Sequence, residues 1–384
     1  MKNILNSTGH ELKYTNFVKA SNCTLFDSQG NSYLDLESGV WCTSIGHCHP
    51  RITKIISEQS GQMMHSGYCY LNPIIEETAG KILEITGICS GKCVFLCSGS
   101  EAVEYAVKLS RSISDKPYLL TMKNCYLSAY GVSGERSEND WIHLDWMNDN
   151  NIDKIDFKKI AAFVFEPGSS LGLVHFPPKD LIQRIVTKTR ENGGIVIANE
   201  ITTGTGRTGK WFGYQHYDIV PEIVAIGKGL GNGYPVSSVA ISNTVLEKVD
   251  LNKFHYAQSH QNDPLGAAIA NEVLNIIESD KLIDRAVEIG KIIQIRLLGI
   301  KEKFGIIKEV RSRGLMIAIE FQKNKKNSLA QCINEMLLKK NIILVKRPGH
   351  EVFRIDPPLT IDMKDVEYFL NSLEDIIHEV KSNG

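Results

Sequence analysis

One lysine of this chain lies among glycines directly after a short apolar run. Lys228 falls between Gly227 and Gly229, immediately after Ile223–Ile226. Glycine lets a bound molecule approach the backbone closely, and a lysine amine attacks carbonyl compounds when burial or a nearby cation lowers its pKa. Lys228 is therefore a candidate for covalent attachment of a carbonyl compound. Taken alone, the segment is better explained as a glycine-rich surface turn with a solvated lysine.

A second segment has the composition of a phosphate-binding turn. Ser98, Gly99 and Ser100 follow the apolar run Cys93–Leu96 and precede a helical pattern. Free N–H groups at the start of a helix bind a phosphate dianion, glycine permits its close approach, and Ser100 adds a hydroxyl. The simpler alternative is that Ser98 is only a helix N-cap.

A third segment, Asn199–Gly209, lies upstream of Lys228, and the two together closely resemble the signature of class III aminotransferases. In that family an acidic residue after a strand faces the pyridine nitrogen of pyridoxal 5'-phosphate, and a lysine about thirty residues later holds the cofactor as a Schiff base. The spacing from Asn199 to Lys228 is similar. Further segments appear in the family's order along nearly the whole chain: Tyr33-Leu34-Asp35, Gly46-His47-Cys48-His49-Pro50, Ser98–Ala102, Glu166-Pro167 and Arg354–Leu359.

The resemblance implies roles for individual residues. Tyr126 is expected to stack on one face of the pyridine ring, and Ile201 to pack on the other. Ser259 aligns with a threonine that reaches the phosphate of the neighbouring subunit, which implies a homodimer with shared active sites. His260 is either a catalytic base or a loop or interface histidine, and the resemblance favours the second. The full set of expected cofactor-binding residues is Ser98, Gly99, Ser100, Tyr126, Asn199, Ile201, Thr202, Lys228 and Ser259.

The chain departs from its family at the cofactor. Asn199 stands where an aspartate is usual, so a protonated pyridine nitrogen loses its charged partner. The neighbouring Glu200 is expected to point the other way if the strand continues. The change either tunes the electron-withdrawing ring or alters the reaction.

The substrate side departs as well. Many amino-acid-specific relatives have an arginine shortly after the stacking aromatic residue that binds the substrate carboxylate, but here Leu127, Ser128 and Ala129 follow Tyr126. Relatives that use glutamate as amino donor often have a Glu residue at the position of Leu171. Arg354 remains as a carboxylate clamp or as a structural arginine. Trp41, with Cys42, resembles a pair that lines the substrate pocket in relatives that accept amines, or it is a core residue.

The resemblance implies an aminotransferase that moves an amino group from an amine or amino acid to a keto acid. Lys228 would be displaced by the substrate amine and then carry a proton between the substrate Cα and the cofactor. One alternative on the same fold is an amino-acid racemase, epimerase or aminomutase. Another is a cofactor-binding protein without catalytic activity.

The elements around these residues indicate an α/β protein of fold type I. Short apolar runs alternate with amphipathic stretches from about residue 71 onward, and continuous runs such as Ile195–Ile197 suit parallel strands covered on both faces. Ligands of such sheets bind at the carboxyl ends of the strands. We expect three parts: residues 1–44 packing with the small domain, a large cofactor-binding domain at 45–264 with a mostly parallel sheet, and a small α+β domain at 265–384.

Composition excludes several classes of protein. The chain has 384 residues with a formal net charge of -1, so no basic surface for nucleic acid is expected. No run has the length of a membrane span. The nine cysteines are an odd number, which favours reduced thiols and a cytoplasmic location. Cys89, Cys93 and Cys97 recur at regular spacing, but no histidine is near and a buried strand explains them better, so no metal is expected.

Overall fold

The computed structural model describes residues 3–8, 12–67, 69–147, 152–168, 171–323 and 328–382. Its strands are β1 Phe17–Ser21, β2 Thr24–Asp27, β3 Ser32–Asp35, β4 Gly91–Leu96, β5 Tyr118–Met122, β6 Trp141–Leu144, β7 Ile160–Phe165, β8 Ile195–Asn199, β9 Ile223–Ile226, β10 Ser237–Ser242, β11 Ile307–Arg313, β12 Met316–Phe321, β13 Ile342–Ile343, β14 Val345–Lys346 and β15 Val352–Ile355. Its helical segments are α1 Ser38–Trp41, α2 Pro50–Gln62, α3 Pro73–Thr86, α4 Gly99–Ser112, α5 Gly131–Glu135, α6 Lys179–Glu191, α7 Asn243–Leu246, α8 Pro264–Ser279, α9 Leu282–Phe304, α10 Leu329–Lys339 and α11 Met363–Ser382.

A seven-stranded sheet in the order β4-β10-β9-β8-β7-β5-β6 forms the centre of the protein. Strands β5 to β9 pair in parallel, whereas β10 is antiparallel to both β9 and β4. Strand β4 therefore runs in the same direction as the parallel strands. The expected mostly parallel α/β sheet is confirmed, and six of its seven strands end at one edge.

Helices cover both faces of this sheet. Every residue of β7, β8 and β9 is buried, which explains why their sequences are continuous apolar runs without polar alternation. Fully burying one such side chain contributes about 1.5–3 kcal/mol. The buried strands hold the residues that directly follow them in fixed positions, as a precisely arranged site at the sheet edge requires.

Two four-stranded sheets lie outside the central one, in the orders β1-β2-β3-β13 and β11-β12-β15-β14. They share an apolar core with α9 and α11. Helix α8 belongs to two cores, since Ile269 and Val273 pack in this one, and Ala270 and Leu274 pack in a core of the central sheet. The domain boundary at residues 264 and 265 stays a prediction.

No helix in the described ranges is both long and apolar enough to cross a membrane.

Candidate active site

A cavity of about 360 Å³ opens at the edge where the parallel strands end. Residues that follow β4, β5, β7, β8 and β9 meet there because the strands run in one direction. Its lining consists of Cys42, Cys97, Ser98, Gly99, Ser100, Tyr126, Leu127, Glu166, Asn199, Ile201, Thr202, Lys228, Gly233, Tyr234, Pro235 and Val236. Eight of the eleven residues that the sequence singled out are in this lining; Ser259, Trp41 and Arg354 are not.

Lys228 is the one cation among the described residues that line this cavity. Its φ is +44°, a left-handed backbone conformation that turns the chain directly after β9. Burial lowers the pKa of its amine, and the Arg354 guanidinium lowers it further, against the raising effects of Cys42 and Glu166. The proportion of neutral amine is thereby increased, which suits a nucleophile toward a carbonyl group.

The start of α4 forms one wall of the cavity. Ser98 is the N-cap of this helix, since its side chain accepts a hydrogen bond from the Glu101 N–H at 3.2 Å. The Ser100 hydroxyl accepts one from the Ala129 N–H at 2.9 Å. Ser98 is thus a cap and also lines the cavity, so the two sequence interpretations are compatible.

Gly99 is required by a close neighbour. A Cβ at Gly99 would lie 2.6 Å from Cγ2 of Ile201, and a Cβ at Gly227 would lie 3.1 Å from its Cδ1. The Ile201 side chain is therefore wedged between two glycines, and it too lines the cavity. A side chain at Gly99 or Gly227 would crowd Ile201, so this packing requires glycine at both positions.

Substitution of Gly99 tests this packing. Gly99→Ala should displace Ile201 and weaken the binding of pyridoxal 5'-phosphate by at least about tenfold, or 1.4 kcal/mol, in fluorescence titrations of the apoprotein. Gly80→Ala is the matched control, because no atom lies within 4 Å of a Cβ at Gly80 and alanine is the better helix former. Wild-type cofactor affinity in the Gly99 variant would contradict the proposed contact of Gly99 and Ile201 with the cofactor.

The floor of the cavity is a hydrogen-bonded group around Asn199. Its side-chain Nδ2 donates to the Tyr126 carbonyl at 2.9 Å, and its Oδ1 accepts from the Ile201 N–H at 3.2 Å. Glu166 accepts from the Tyr126 N–H and from the Thr202 hydroxyl, each at 3.3 Å. These contacts fix the amide of Asn199 and place a carboxylate beside it. The Tyr126 side chain is exposed at the open side.

Glu200 points away from the cavity. Its carboxylate accepts hydrogen bonds from the Thr203 hydroxyl and from the N–H groups of Gly213 and Tyr214, at 2.7–2.8 Å. Burial nevertheless raises its pKa to about 7. It therefore organises the turn after β8 and does not replace the missing aspartate.

The raised pKa of Glu200 predicts a pH dependence of stability. Between pH 4.5 and about 7 this carboxyl is protonated in the folded chain and ionised in the unfolded chain. Its contribution to the free energy of unfolding therefore falls as pH rises through this window, by about 3 kcal/mol in total, and is constant above it. Urea unfolding at several pH values should show a shallower decline for Glu200→Gln than for the wild type. Parallel curves would refute this origin.

Trp41 and Arg354 lie next to the cavity, but outside its lining. The ring centre of the buried Trp41 is 5.8 Å from Lys228 Nζ and 3.5 Å from the Arg354 guanidinium carbon. The Arg354 side chain is only 3% exposed, and its Nε donates to Asp356. Arg354 lines a second cavity, about 720 Å³ in volume, together with Glu37 and Arg347.

A left-handed turn positions Trp41. Ser38, Gly39, Val40 and Trp41 have φ values of +48°, +54°, +58° and +66°. This region is strained for side chains other than glycine, above all for a β-branched valine. The Ser38 hydroxyl donates to the Asp356 carbonyl at 2.6 Å, so the turn is fastened to the strand end that carries Arg354.

Several cavity residues were not predicted as site residues. Glu166 follows β7 at the same edge as the predicted residues, so the rule for parallel sheets could have identified it. Tyr234, Pro235 and Val236 follow the turn after Lys228 and carry no chemical signal in the sequence. Ser259, by contrast, is exposed in the chain.

The cavity fits pyridoxal 5'-phosphate by its donor set. A helix start with two serine hydroxyls suits a phosphate, Lys228 suits an aldehyde, and Asn199 offers an amide to a ring nitrogen. Ile201, packed between Gly99 and Gly227, gives the cavity an apolar side chain. The fold and the site together define a pyridoxal-phosphate-dependent enzyme of fold type I.

Comparison with known proteins narrows this class. The family model of class III aminotransferases matches residues 6–133 and 135–377, and the chain belongs to this family. It is 30% identical to an acetylornithine aminotransferase of Clostridium acetobutylicum, covering 94% of this chain and 96% of the relative. It is also 30% identical to ornithine aminotransferase 1 of Staphylococcus aureus, covering 92% of each.

The solved structure of acetylornithine aminotransferase from Elizabethkingia anophelis superimposes with a TM-score of 0.85 at 25% identity, covering 97% of this chain and 96% of that one. The protein is therefore a pyridoxal-phosphate-dependent aminotransferase. The isomerase alternative is not favoured, because these relatives are aminotransferases.

Proposed function

We propose that this aminotransferase takes its amino group from a terminal amine, on a carbon that bears no carboxylate, and passes it to a 2-oxo acid. The observation that carries the proposal is the lining of the active-site cavity, where Lys228 is the one cation among the described residues. The next cation, Arg354, lies outside this lining, behind the ring of Trp41. A terminal amine needs no second positive charge at its reacting carbon, whereas a carboxylate on that carbon would need Arg354 as its partner.

The names of the relatives agree with this proposal. Ornithine and acetylornithine, the compounds in those names, both carry an amine on a terminal CH2 group. The apolar side chains of Leu127, Val236 and Tyr234 in the cavity wall suit the alkyl chain of such a substrate.

Lys228 has two tasks in this reaction. Its lowered pKa makes Nζ a nucleophile that would hold the cofactor covalently, and the same Nζ, once free, would carry the proton that leaves the substrate carbon. When bound, pyridoxal 5'-phosphate supplies an aldehyde for the substrate amine and a ring that withdraws electrons from that carbon. Tyr126 and Ile201 would cover the two faces of its ring, and Ser98 and Ser100 would hold its phosphate.

Arg354 is the proposed contact for the carboxylate of the oxo acid. Its one hydrogen bond within the described part of the chain is at Nε, so Nη1 and Nη2 remain to donate to a carboxylate, an arrangement that suits bidentate binding. Trp41 stacks on the guanidinium and fixes its plane. Because the carboxylate of a 2-oxo acid is bonded to its reacting carbon, Arg354 would bind it in the half-reaction with the oxo acid, and the terminal amine would make no such contact.

A donor and acceptor screen with the holoenzyme tests the proposal. Terminal diamines and ω-amino acids should convert the visible spectrum of the bound cofactor with a kcat/KM at least about tenfold above that of alanine or glutamate, and turnover should require an oxo acid. A preference for α-amino acids would refute the terminal-amine assignment. Inversion of an α-amino acid without an oxo acid would refute amino transfer.

The amide at Asn199 predicts an unusual cofactor spectrum. Asn199→Asp should place a negative charge at the pyridine nitrogen, stabilise its protonated form, and shift the pH dependence of the visible absorbance. The measurement is a spectrophotometric pH titration of both proteins. Asn139→Asp, at an exposed position outside the cavity, is the control. Superimposable titrations of the Asn199 variant and the wild type would mean that Asn199 does not face this nitrogen.

The functional unit is proposed to be a homodimer with shared active sites. Ser259 lies exposed in a loop of the single chain, where a partner subunit can contact it.

The proposed location is the cytoplasm, and the support is that all nine cysteines are free thiols, as expected in a reducing compartment.

A further inference from the structure

Two histidines and an aspartate converge outside the active-site cavity. His65 follows α2, whereas His260 and Asp263 precede α8, so only the folded chain brings them together. Each residue offers one ligand atom, and these atoms lie within 4.8 Å of one another. His65 Nδ1 contacts Asp263 Oδ1, and His260 Nδ1 lies 2.6 Å from Asp263 Oδ2.

The geometry points to a divalent transition-metal site formed by His65, His260 and Asp263, with zinc as the best-suited ion. Two imidazole nitrogens and a carboxylate oxygen are ligands that zinc prefers, at about 2.0–2.2 Å, and water completes a tetrahedral shell in a site with three protein ligands. The ligand atoms already lie close enough that small side-chain rotations would admit an ion. The metal would replace the direct contacts of both histidines with the carboxylate.

The Asp263 carboxylate is not used as a helix cap. Asp263 is the N-cap of α8, but its side chain makes no capping hydrogen bond to the helix. An aspartate at this position normally accepts from the first-turn N–H groups. Here the carboxylate instead faces the two imidazoles, so its position is set by the cluster and not by the helix.

The cluster is open to metal ions on one side and anchored on the other. The side chains of His65 and His260 are 42% and 59% exposed, and that of Asp263 is 13% exposed. Asn262, between the last two ligands, is fastened to β4, because its N–H donates to the Phe95 carbonyl at 3.0 Å and its Oδ1 accepts from the Phe95 N–H at 2.9 Å. A rigid base of this kind reduces the entropy lost on binding.

Binding would restrain the loop that carries Ser259. His260 and Asp263 also line a cavity of about 170 Å³ that shares Cys97, Tyr234, Pro235 and Val236 with the active-site cavity. A bound ion would connect the segment after α2 to the loop before α8. The shared residues separate this loop from the active-site cavity that contains Lys228. The metal itself has no part in the amino-transfer chemistry derived for Lys228.

Titration of the metal-free holoenzyme with Zn²⁺ and Co²⁺ tests the site. We expect one equivalent per chain by calorimetry. The Co²⁺ complex should show visible d–d absorption without the near-ultraviolet charge-transfer band that thiolate ligands produce, which separates this site from the nine cysteines. His65→Ala and His260→Ala should each weaken Zn²⁺ binding by at least about a hundredfold.

His255→Ala is the matched control. His255 is exposed in the same region, its Nε2 lies 3.0 Å from the Asn252 carbonyl, and it is not part of the cluster, so this variant should bind zinc as the wild type does. Zinc should also slow amide hydrogen exchange in residues 258–263 of the wild type and of the His255 variant, but not in the His65 and His260 variants. Absence of saturable binding, a thiolate spectrum, or equal affinity in the His65, His260 and His255 variants would overturn the proposal.

Discussion

Lys228→Ala should lower kcat by at least about 10³-fold and abolish the visible absorbance of the bound cofactor. The variant loses both the covalent attachment and the group that carries the substrate proton, and acid–base catalysis of this kind alone contributes about 10²–10⁴-fold. Steady-state kinetics and an absorbance spectrum of the purified variant provide the measurement. Added methylamine should restore part of the activity, because a small amine can carry the proton from the vacated space.

Two controls separate this effect from a loss of structure. Lys253→Ala removes a lysine whose side chain is 85% exposed and should leave activity and spectrum unchanged. Circular dichroism should show that the Lys228 variant is folded. Retained turnover together with a retained cofactor spectrum would remove Lys228 from its central role.

Asp356→Ala should destabilise the fold by about 3–5 kcal/mol, because it removes one partner of a buried ion pair. Asp356 is fully buried and hydrogen-bonded to Arg354, which is 2% exposed. Burial lowers the pKa of Arg207 to about 10, and the charge of Asp356 opposes this lowering. Chemical denaturation gives the free energy of unfolding. Asp375→Ala, at an exposed position within α11, should change it by less than about 1 kcal/mol.

The double variant Arg354→Met with Asp356→Ala isolates the pair. Replacing both charges by apolar groups should recover most of the lost stability. Arg354→Met should also raise KM for the oxo acid, while the half-reaction with a terminal amine keeps its rate. Equal losses in both half-reactions would make Arg354 structural only, and a double variant no more stable than Asp356→Ala would contradict the pairing.

The cavity of the central sheet was predictable because its chemistry is local in sequence. Ser98, Asn199 and Lys228 each follow an apolar run, and residues after parallel strands meet at one edge whatever the details of packing. The strands that escaped prediction lack that signal. Strand β10 contains three serines, and the hydroxyl of Ser237 donates a hydrogen bond to the Ser98 carbonyl. Strand β11, at a sheet edge, has four charged residues among its seven.

The sequence by itself thus determined the fold class, the family, the cofactor and the position of Lys228 among its neighbours. Only the tertiary structure decided what the lysine faces. It turned Glu200 away, placed Glu166 beside Asn199, set Trp41 on a left-handed turn, and paired Arg354 with Asp356. It also joined His65 to His260 and Asp263. Such contacts depend on how separate elements pack, and packing is a sum over many weak interactions that no single segment encodes. The sequence was therefore sufficient to identify Lys228, whereas the residues around its substrate could be identified only from the folded chain.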